Sequence, residues 1–150
     1  MNNDFIISEI KVSYHPSVSA SERPKLNTSM DCYNYFLGIF DKDTINLRED
    51  AVVLFLNRAN RVLGCYRISS GGITATVVDI RIVLGIALKC LACGIILAHN
   101  HPSGEINPSH QDLELTRRLK EAAKLMEISL LDHLIVTSDK YYSFADEGVL

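Results

Sequence analysis

Two spacings of apolar residues alternate along the chain, and each change of spacing indicates a change of secondary structure. Continuous or alternating apolar runs predict strands at residues 4–14, 51–57, 62–69, 95–98, 130–136 and 141–144. Helical spacing predicts helices at residues 30–40, at residues 80–93, and from Ser109 to residue 127. Strands and helices therefore alternate, and we expect an α/β domain with a mixed central sheet and flanking helices.

Polar residues and glycines indicate where these elements begin and end. Ser29, Asp79 and Ser109 each precede a predicted helix and can cap its first turn. Asn57 begins a turn that joins two strands in a hairpin. Gly94 is a suitable C-terminal stop for the second helix.

Two of the predicted helices present a clear apolar face to a core. In the second helix this face comprises positions 80, 84, 87 and 91, and in the third it comprises positions 115, 119, 122 and 126. Residues 15–28 are rich in Ser and Pro, which predicts a linker. We therefore divide the chain into an N-terminal strand and linker over residues 1–28 and a domain over residues 29–150.

Composition narrows the functional classes. The chain has 150 residues, of which 47% are apolar and 22% charged, a globular composition that excludes a disordered chain. Fifteen basic and eighteen acidic residues leave a net charge of −3, which weakens the case for binding nucleic acid through phosphate neutralisation. No apolar run approaches the length of a membrane span, and the N-terminus lacks a signal pattern. A cytoplasmic protein without a membrane partner is the default expectation.

The chain has four cysteines, of which Cys90 and Cys93 form a CxxC pair. The pair has no second CxxC and no HxxxH partner, which a structural zinc site of this kind would need. Because both residues lie in an apolar run near the end of a predicted helix, we expect buried, reduced thiols.

The segment after strand 95–98 carries the candidate chemistry. His99 and His101 are two residues apart at a strand end, so their side chains project to the same side and can reach one metal ion. Asp112 lies in the first turn of the following helix, seven residues before Leu119, and therefore faces inward with the core positions. An inward carboxylate needs a partner, and a cation held by the two histidines would supply one.

Two imidazoles and one carboxylate are a ligand set that catalytic zinc sites use, with the fourth position left to water. One Zn²⁺ per chain is therefore the expected cofactor. The chemistry also needs a general base, and Glu49 is the candidate because it stands at the entrance of the buried strand 51–57. Ser109 lies between the ligands and can donate a hydrogen bond to a developing oxyanion.

Each of these residues also has an ordinary structural interpretation. Ser109 and Asp112 have the spacing of a capping box, with Asp in the place of Glu or Gln. The two histidines could bond to loop backbone, and Glu49 could be a surface acid. The order of the features favours the metal site: a strand, an HxH, a Gly/Pro loop, and then an inward acid at a helix start.

The same residues resemble a known motif. An upstream Glu, then HxH, seven residues, and SxxD is the pattern of JAB/MPN metalloproteases, and residues 102–108 provide the seven. LAHNHPSGEINPS, TRRLKEAA and LLDHLIV resemble the RadC family of bacterial JAB-domain proteins, from about residue 30 to the end. The resemblance implies a cytidine-deaminase-like fold, zinc ligands at His99, His101 and Asp112, a base at Glu49 and an oxyanion-stabilising Ser109.

The chain departs from the family pattern at two places. Longer RadC proteins have a helix-hairpin-helix segment before the JAB domain, where this chain has only the predicted strand and linker. The family tends to place an acid after the arginine matched by Arg81, and here the residue is Ile82. Asp132 and His133 match a family motif, which leaves two interpretations: a pair bonded to neighbouring backbone, or a contact that supports the site.

The resemblance implies hydrolysis of a peptide or isopeptide bond in a peptide or protein substrate. The alternative is a DNA-repair-associated or DNA-binding RadC protein without peptidase activity, because the family carries a historical DNA-repair label. A binding module with a degenerate site is a third class, although every motif position is filled here. Whether two chains associate as a homodimer through the edge of the first strand is left open by the sequence.

Overall fold

The computed structural model describes residues 8–70 and 77–150. Within these ranges it has three helices and five strands. In chain order they are α1 (Ser29–Leu37), β1 (Asp50–Leu56), β2 (Val62–Ser70), α2 (Ile80–Lys89), β3 (Gly94–Asn100), α3 (His110–Leu125), β4 (Ser129–Val136) and β5 (Tyr141–Ser143). The α/β class predicted from the apolar pattern is confirmed.

The five strands form one mixed sheet in the order β2-β1-β3-β4-β5. Only the β3–β4 pair is parallel, because α3 carries the chain back between these two strands. The other three pairs are antiparallel. Every residue of β1 and β3 is buried, which explains their nearly continuous apolar runs.

Helices cover both faces of the sheet and divide the core in two. On one face Phe36 of α1 packs with Leu54 and Ile96. On the other face Val83 of α2 and Leu119 of α3 pack in the second cluster. Within the described residues, no helix has both the length and the apolar character needed to cross a membrane.

The strand directions bring the functional residues to one edge of the sheet. β1 begins where β3 ends, because the two strands are antiparallel neighbours. The N-terminus of α3 lies near the same edge, since α3 follows β3 through a nine-residue connection over residues 101–109. Residues close to the start of β1, the end of β3 and the start of α3 therefore meet.

All three helices end earlier than predicted, α1 at Leu37, α2 at Lys89 and α3 at Leu125. Gly94 opens β3 instead of terminating α2. Leu91 and Glu127 both adopt a φ of 56°, and the residues after them bond back to Ala87 and Ala123. These two left-handed residues turn the chain directly into β3 and β4. Glycine is the residue that usually occupies this left-handed position at the end of a helix.

The early endings correct the predicted core faces. In α2 the fully buried residues are Val83 and Ala87, whereas position 91 lies beyond the helix and Leu91 is 82% exposed. In α3 the buried residues are Thr116, Leu119 and Ala123, while Met126 is 51% exposed. The prediction had extended each apolar face past the residue at which its helix ends.

The N-terminal prediction is wrong where it can be checked. Residues 8–14 form no strand and are exposed, and the rest of the strand predicted over residues 4–14 lies outside the described residues. The Tyr14 hydroxyl donates to the carbonyl of Leu63 in β2, at 2.6 Å. The end of the predicted linker is packed against the domain. Leu26 is buried, and the backbone of Lys25 forms an isolated antiparallel β-bridge with that of Arg61.

The cysteine prediction also needs correction. Cys90 is half-buried and Cys93 is exposed, and both are free thiols. Because α2 ends at Lys89, the CxxC lies in the connection that follows the helix rather than inside it. Cys32 of α1 is the buried thiol, and burial raises its pKa to about 12.

The left-handed conformation of Leu91 gives a test of this chain reversal. We expect Leu91→Gly to raise the free energy of unfolding by about 0.5–1 kcal/mol, since glycine adopts positive φ without a Cβ penalty. Leu91 is 82% exposed, so little packing is lost. Urea denaturation measures the change. The control is Leu88→Gly inside α2, which we expect to lower stability by about 1 kcal/mol. Destabilisation of both variants alike would contradict the proposed role of the backbone conformation.

Candidate metal centre

The pairing of β1 with β3 places Glu49 beside the two histidines. Ala51 lies opposite His99 in the antiparallel register. Glu49 and His101 each lie two residues beyond this pair, just outside their strands, and continuing the register would set them opposite each other. Because strand side chains alternate between faces, all three functional side chains project from the same face of the sheet.

The ligand atoms of these residues are close together. The Nε2 atoms of His99 and His101 are 2.9 Å apart. One ligand atom each from Glu49, His99 and His101 lies within 4.8 Å of the other two, so the three residues could hold a metal ion. His99 is 3% exposed, whereas Glu49 and His101 are half-buried and accessible from solvent.

Asp112 completes the cluster from the first turn of α3. Its Oδ1 lies 3.2 Å from Nε2 of His99, and its Oδ2 lies 3.8 Å from Nε2 of His101. The structure therefore brings Glu49, His99, His101 and Asp112 together, as the sequence analysis expected. Their roles as ligands and base remain predictions.

Asp112 also caps its helix, so the structural interpretation of SxxD is correct as well. Its Oδ2 accepts from the backbone N–H and the hydroxyl of Ser109, both at 2.7 Å. The hydroxyl of Ser109 in turn accepts from the backbone N–H of Asp112 at 3.1 Å. One carboxylate oxygen thus closes the helix, while the other faces His99.

α1 has the same capping box without the histidines. Thr28 and Asp31 exchange the same pair of hydrogen bonds at its N-terminus. Oδ2 of Asp31 accepts from the backbone N–H groups of Asn27 and Thr28. Capping alone therefore does not explain why a second oxygen of Asp112 faces an imidazole.

Electrostatics keep Asp112 ionised. Burial alone would raise the pKa of this carboxyl, but the hydrogen bond and the charge of His99, together with the bonds from Ser109, outweigh it and lower the pKa. Asp112 therefore supplies a negative charge to the cluster at neutral pH.

A chain of hydrogen bonds determines which nitrogen of His99 faces the cluster. Thr116 donates its hydroxyl proton to the carbonyl of Asp112 at 2.6 Å, so it accepts from Nδ1 of His133 at 2.7 Å. Burial lowers the pKa of His133, which is therefore neutral, and its Nε2 accepts from Nδ1 of His99 at 2.8 Å. Nε2 of His99 is therefore the nitrogen that faces the cluster.

His101 is oriented in the same way. Its Nδ1 donates to the carbonyl of Glu105 at 2.7 Å, which leaves the lone pair of Nε2 directed at the site. Two imidazole nitrogens and an ionised carboxylate therefore point at one small volume. The donor set of two nitrogens and one oxygen suits a divalent transition metal such as zinc.

Comparison with known proteins identifies the family of the chain. The family model described as a RadC-like JAB domain matches residues 26–149, which is most of the chain. The chain belongs to the RadC-like JAB domain family.

Relatives of this RadC-like domain occur in several bacteria. A UPF0758 protein of Flavobacterium johnsoniae is 50% identical over 125 residues, which are 83% of this chain and 53% of the relative. A UPF0758 protein of Porphyromonas gingivalis is 46% identical, over 89% of this chain and 59% of the relative. One from Aquifex aeolicus is 38% identical, over 85% and 54%. The chain thus spans little more than half the length of these relatives.

Two predicted residues of the RadC-like domain have clear partners. The hydroxyl of Ser109 is bonded to Asp112, so in this structure it closes the helix rather than facing a substrate. Arg81 pairs with Asp79, the residue that caps α2, at 2.9 Å, and the neighbouring Ile82 is 44% exposed.

The Asp132–His133 motif divides between the two interpretations left open. The carboxylate of Asp132 accepts from the neighbouring backbone N–H of His133, and also from the hydroxyl of Ser143 and the N–H of Ala145, so it secures β5 and the turn after it. His133 contacts His99 and supports the site. Thr116 was not among the predicted site residues, although its place one turn after Asp112 is a usable signal.

Metal retention separates the two functions of Asp112. We expect the full chain to retain about one zinc ion after incubation with Zn²⁺ and desalting, and Asp112→Ala to lose most of it. Asp31→Ala is the matched control, since it removes the equivalent acid from the other capping box. Metal analysis measures both variants, and thermal unfolding checks that their folds survive. Zinc retention by Asp112→Ala, or equal losses in the two variants, would contradict a ligand role.

Proposed function

We propose that this RadC-like domain is a zinc-dependent hydrolase of peptide or isopeptide bonds. The observation that supports it best is the meeting of the two Nε2 atoms, 2.9 Å apart, with an Asp112 oxygen at 3.2 Å and Glu49 alongside. The family membership of the chain is a second, independent support.

His99, His101 and Asp112 would hold the ion through two nitrogens and one oxygen. When bound, Zn²⁺ polarises a carbonyl group and lowers the pKa of water at its open position to about 7. His133 and Thr116 keep His99 in the required tautomer, and the carbonyl of Glu105 does the same for His101. The ligands are therefore preoriented by the fold.

Glu49 is proposed as the general base. It takes a proton from the attacking water as the new carbon–oxygen bond forms, and later delivers this proton to the leaving amine as the carbon–nitrogen bond breaks. Its position opposite His101 places the carboxylate within 4.8 Å of the histidine nitrogens. Its half-buried side chain leaves room for a substrate to approach.

Ser109 is proposed as a donor to the oxyanion that develops on the substrate carbonyl. In the structure its hydroxyl proton is bonded to Oδ2 of Asp112. The role therefore requires this hydroxyl to rotate away from Asp112 when substrate is present. The backbone N–H of Ser109 continues to bond the same oxygen, so the cap can survive the rotation.

The ion pairs of α3 and the net charge of the chain give less support to the DNA-binding alternative. The most basic segment of the chain is in α3, where Arg117 pairs with both Glu114 and Glu121, at 2.7 and 2.9 Å. These ion pairs reduce the positive charge that α3 can offer to phosphate groups. The net charge of −3 acts in the same direction.

Glu49→Gln tests the proposed mechanism. Zinc-loaded protein should cleave members of a peptide and isopeptide substrate library, and chelation should abolish cleavage. We expect Glu49→Gln to retain zinc and to lose about 10²–10⁴-fold in kcat, the range of general-base catalysis. Glu127→Gln is the control, an exposed acid between α3 and β4, at the opposite end of α3 from the site, that should keep wild-type activity.

Two outcomes would contradict the proposal. One is full activity in Glu49→Gln. The other is a zinc-loaded wild type that cleaves nothing in the library but binds duplex DNA with micromolar, salt-dependent affinity.

A further inference from the structure

Asn100 stands between the two histidines but projects from the opposite face of the sheet. It is fully buried. Its side-chain amide makes three hydrogen bonds: Oδ1 accepts from the N–H of Asp50 at 2.7 Å, and Nδ2 donates to the carbonyls of Ile45 and Arg48 at 2.7 and 2.8 Å. Both N–H groups of the amide are thus engaged.

Two of these bonds hold the peptide groups on either side of Glu49. The carbonyl of Arg48 belongs to the peptide that precedes Glu49, and the N–H of Asp50 belongs to the peptide that follows it. One side chain therefore forms hydrogen bonds with the backbone on both sides of Glu49. The third bond, to Ile45, holds the connection that leads into β1.

The amide replaces regular sheet pairing at the position where such pairing stops. The last backbone pair between β1 and β3 toward this edge joins Ala51 to His99. Beyond it, the side chain of Asn100 provides an acceptor and two donors at once. Aspartate has no donor, serine has only one, and glutamine is longer by one methylene group. Asparagine is the side chain of the right length and polarity for all three bonds.

We infer that Asn100 is a positioning residue that holds Glu49 opposite His101. This inference rests on the proposed function, because the position of Glu49 matters to the reaction only if Glu49 is the general base. His99 and Asn100 end β3 and His101 follows them directly, so the segment that presents the nitrogens also locates the base. A displacement of the base by about 1 Å is enough to cost about 100-fold in rate.

The surrounding contacts make variants of Asn100 usable. The carboxylate of Asp50 pairs with Arg67 at 2.9 Å and with Arg48 at 3.4 Å, independently of Asn100. His99, His101 and Asp112 are held by other partners, on β4, α3 and the 101–109 connection. Loss of the amide bonds should therefore move Glu49 while the metal ligands stay in place.

The test uses the full chain loaded with Co²⁺, whose visible bands report the surroundings of the ion. Asn100→Asp keeps the size of the side chain but turns a carboxylate oxygen toward two carbonyls. Asn100→Ser is a milder second variant. We expect both variants to bind one Co²⁺ and to shift the visible bands in the direction produced by Glu49→Gln. The N–H of Asp50 should exchange with solvent about tenfold faster or more, because its acceptor is removed or misplaced.

Asn57→Ala is the matched control. Asn57 also secures a turn through its side chain, accepting from the N–H groups of Ala59 and Arg61 at 2.9 and 3.0 Å, at the other end of β1. This variant should lose comparable stability yet keep the wild-type Co²⁺ spectrum. A merely structural role for Asn100 predicts that all three asparagine variants behave alike.

The outcomes distinguish the inference from the proposed function. A shift with Glu49→Gln but none with either Asn100 variant overturns the inference and leaves the proposed function standing. A wild type that binds no Co²⁺, or a spectrum that Glu49→Gln leaves unchanged, overturns the role of Glu49 and the inference with it. Shifts with Glu49→Gln and with the Asn100 variants, but not with Asn57→Ala, support the inference.

Discussion

The geometry of the candidate metal centre depends on the antiparallel pairing of β1 with β3. This register places Ala51 opposite His99 and brings Glu49 to His101 at the edge of the sheet. A slip of one residue would turn Glu49 to the opposite face, because strand side chains alternate. Both strands are buried along their whole length, so a change of register would also disturb apolar packing on the two faces. The packing of the core thus protects the geometry of the site.

Around this pairing, several elements contribute side chains and partners to the site. β4 supplies His133 to His99, α3 supplies Asp112 and Thr116, and the connection before α3 supplies the carbonyl of Glu105 to His101. The capping box at Ser109 makes the same carboxylate serve the helix and the cluster. Helix capping and a metal site are compatible here because a carboxylate has two oxygens.

Local patterns predicted much of the fold and the four converging side chains. Two features depend only on the side-chain pattern along one strand and can be predicted from the sequence: the apolar runs of β1 and β3, and the spacing of the HxH. The contacts of Asn100 and His133 depend on which strands are neighbours, which periodicity does not reveal. The left-handed Leu91 and Glu127 were missed because glycine usually marks such ends. Alternation also predicted a strand at the N-terminus that the described residues 8–14 do not form. Ile10 and Val12 of this segment lie exposed.

The two imidazole nitrogens and the Asp112 carboxylate are proposed to form one metal site. Anomalous diffraction at the zinc absorption edge, from crystals of the full chain grown with Zn²⁺, would locate a bound ion. We expect one strong peak bounded by Nε2 of His99, Nε2 of His101 and Oδ1 of Asp112, about 2.0–2.2 Å from each. A peak at Cys90 and Cys93 instead, or no peak among the three predicted ligands, would contradict it.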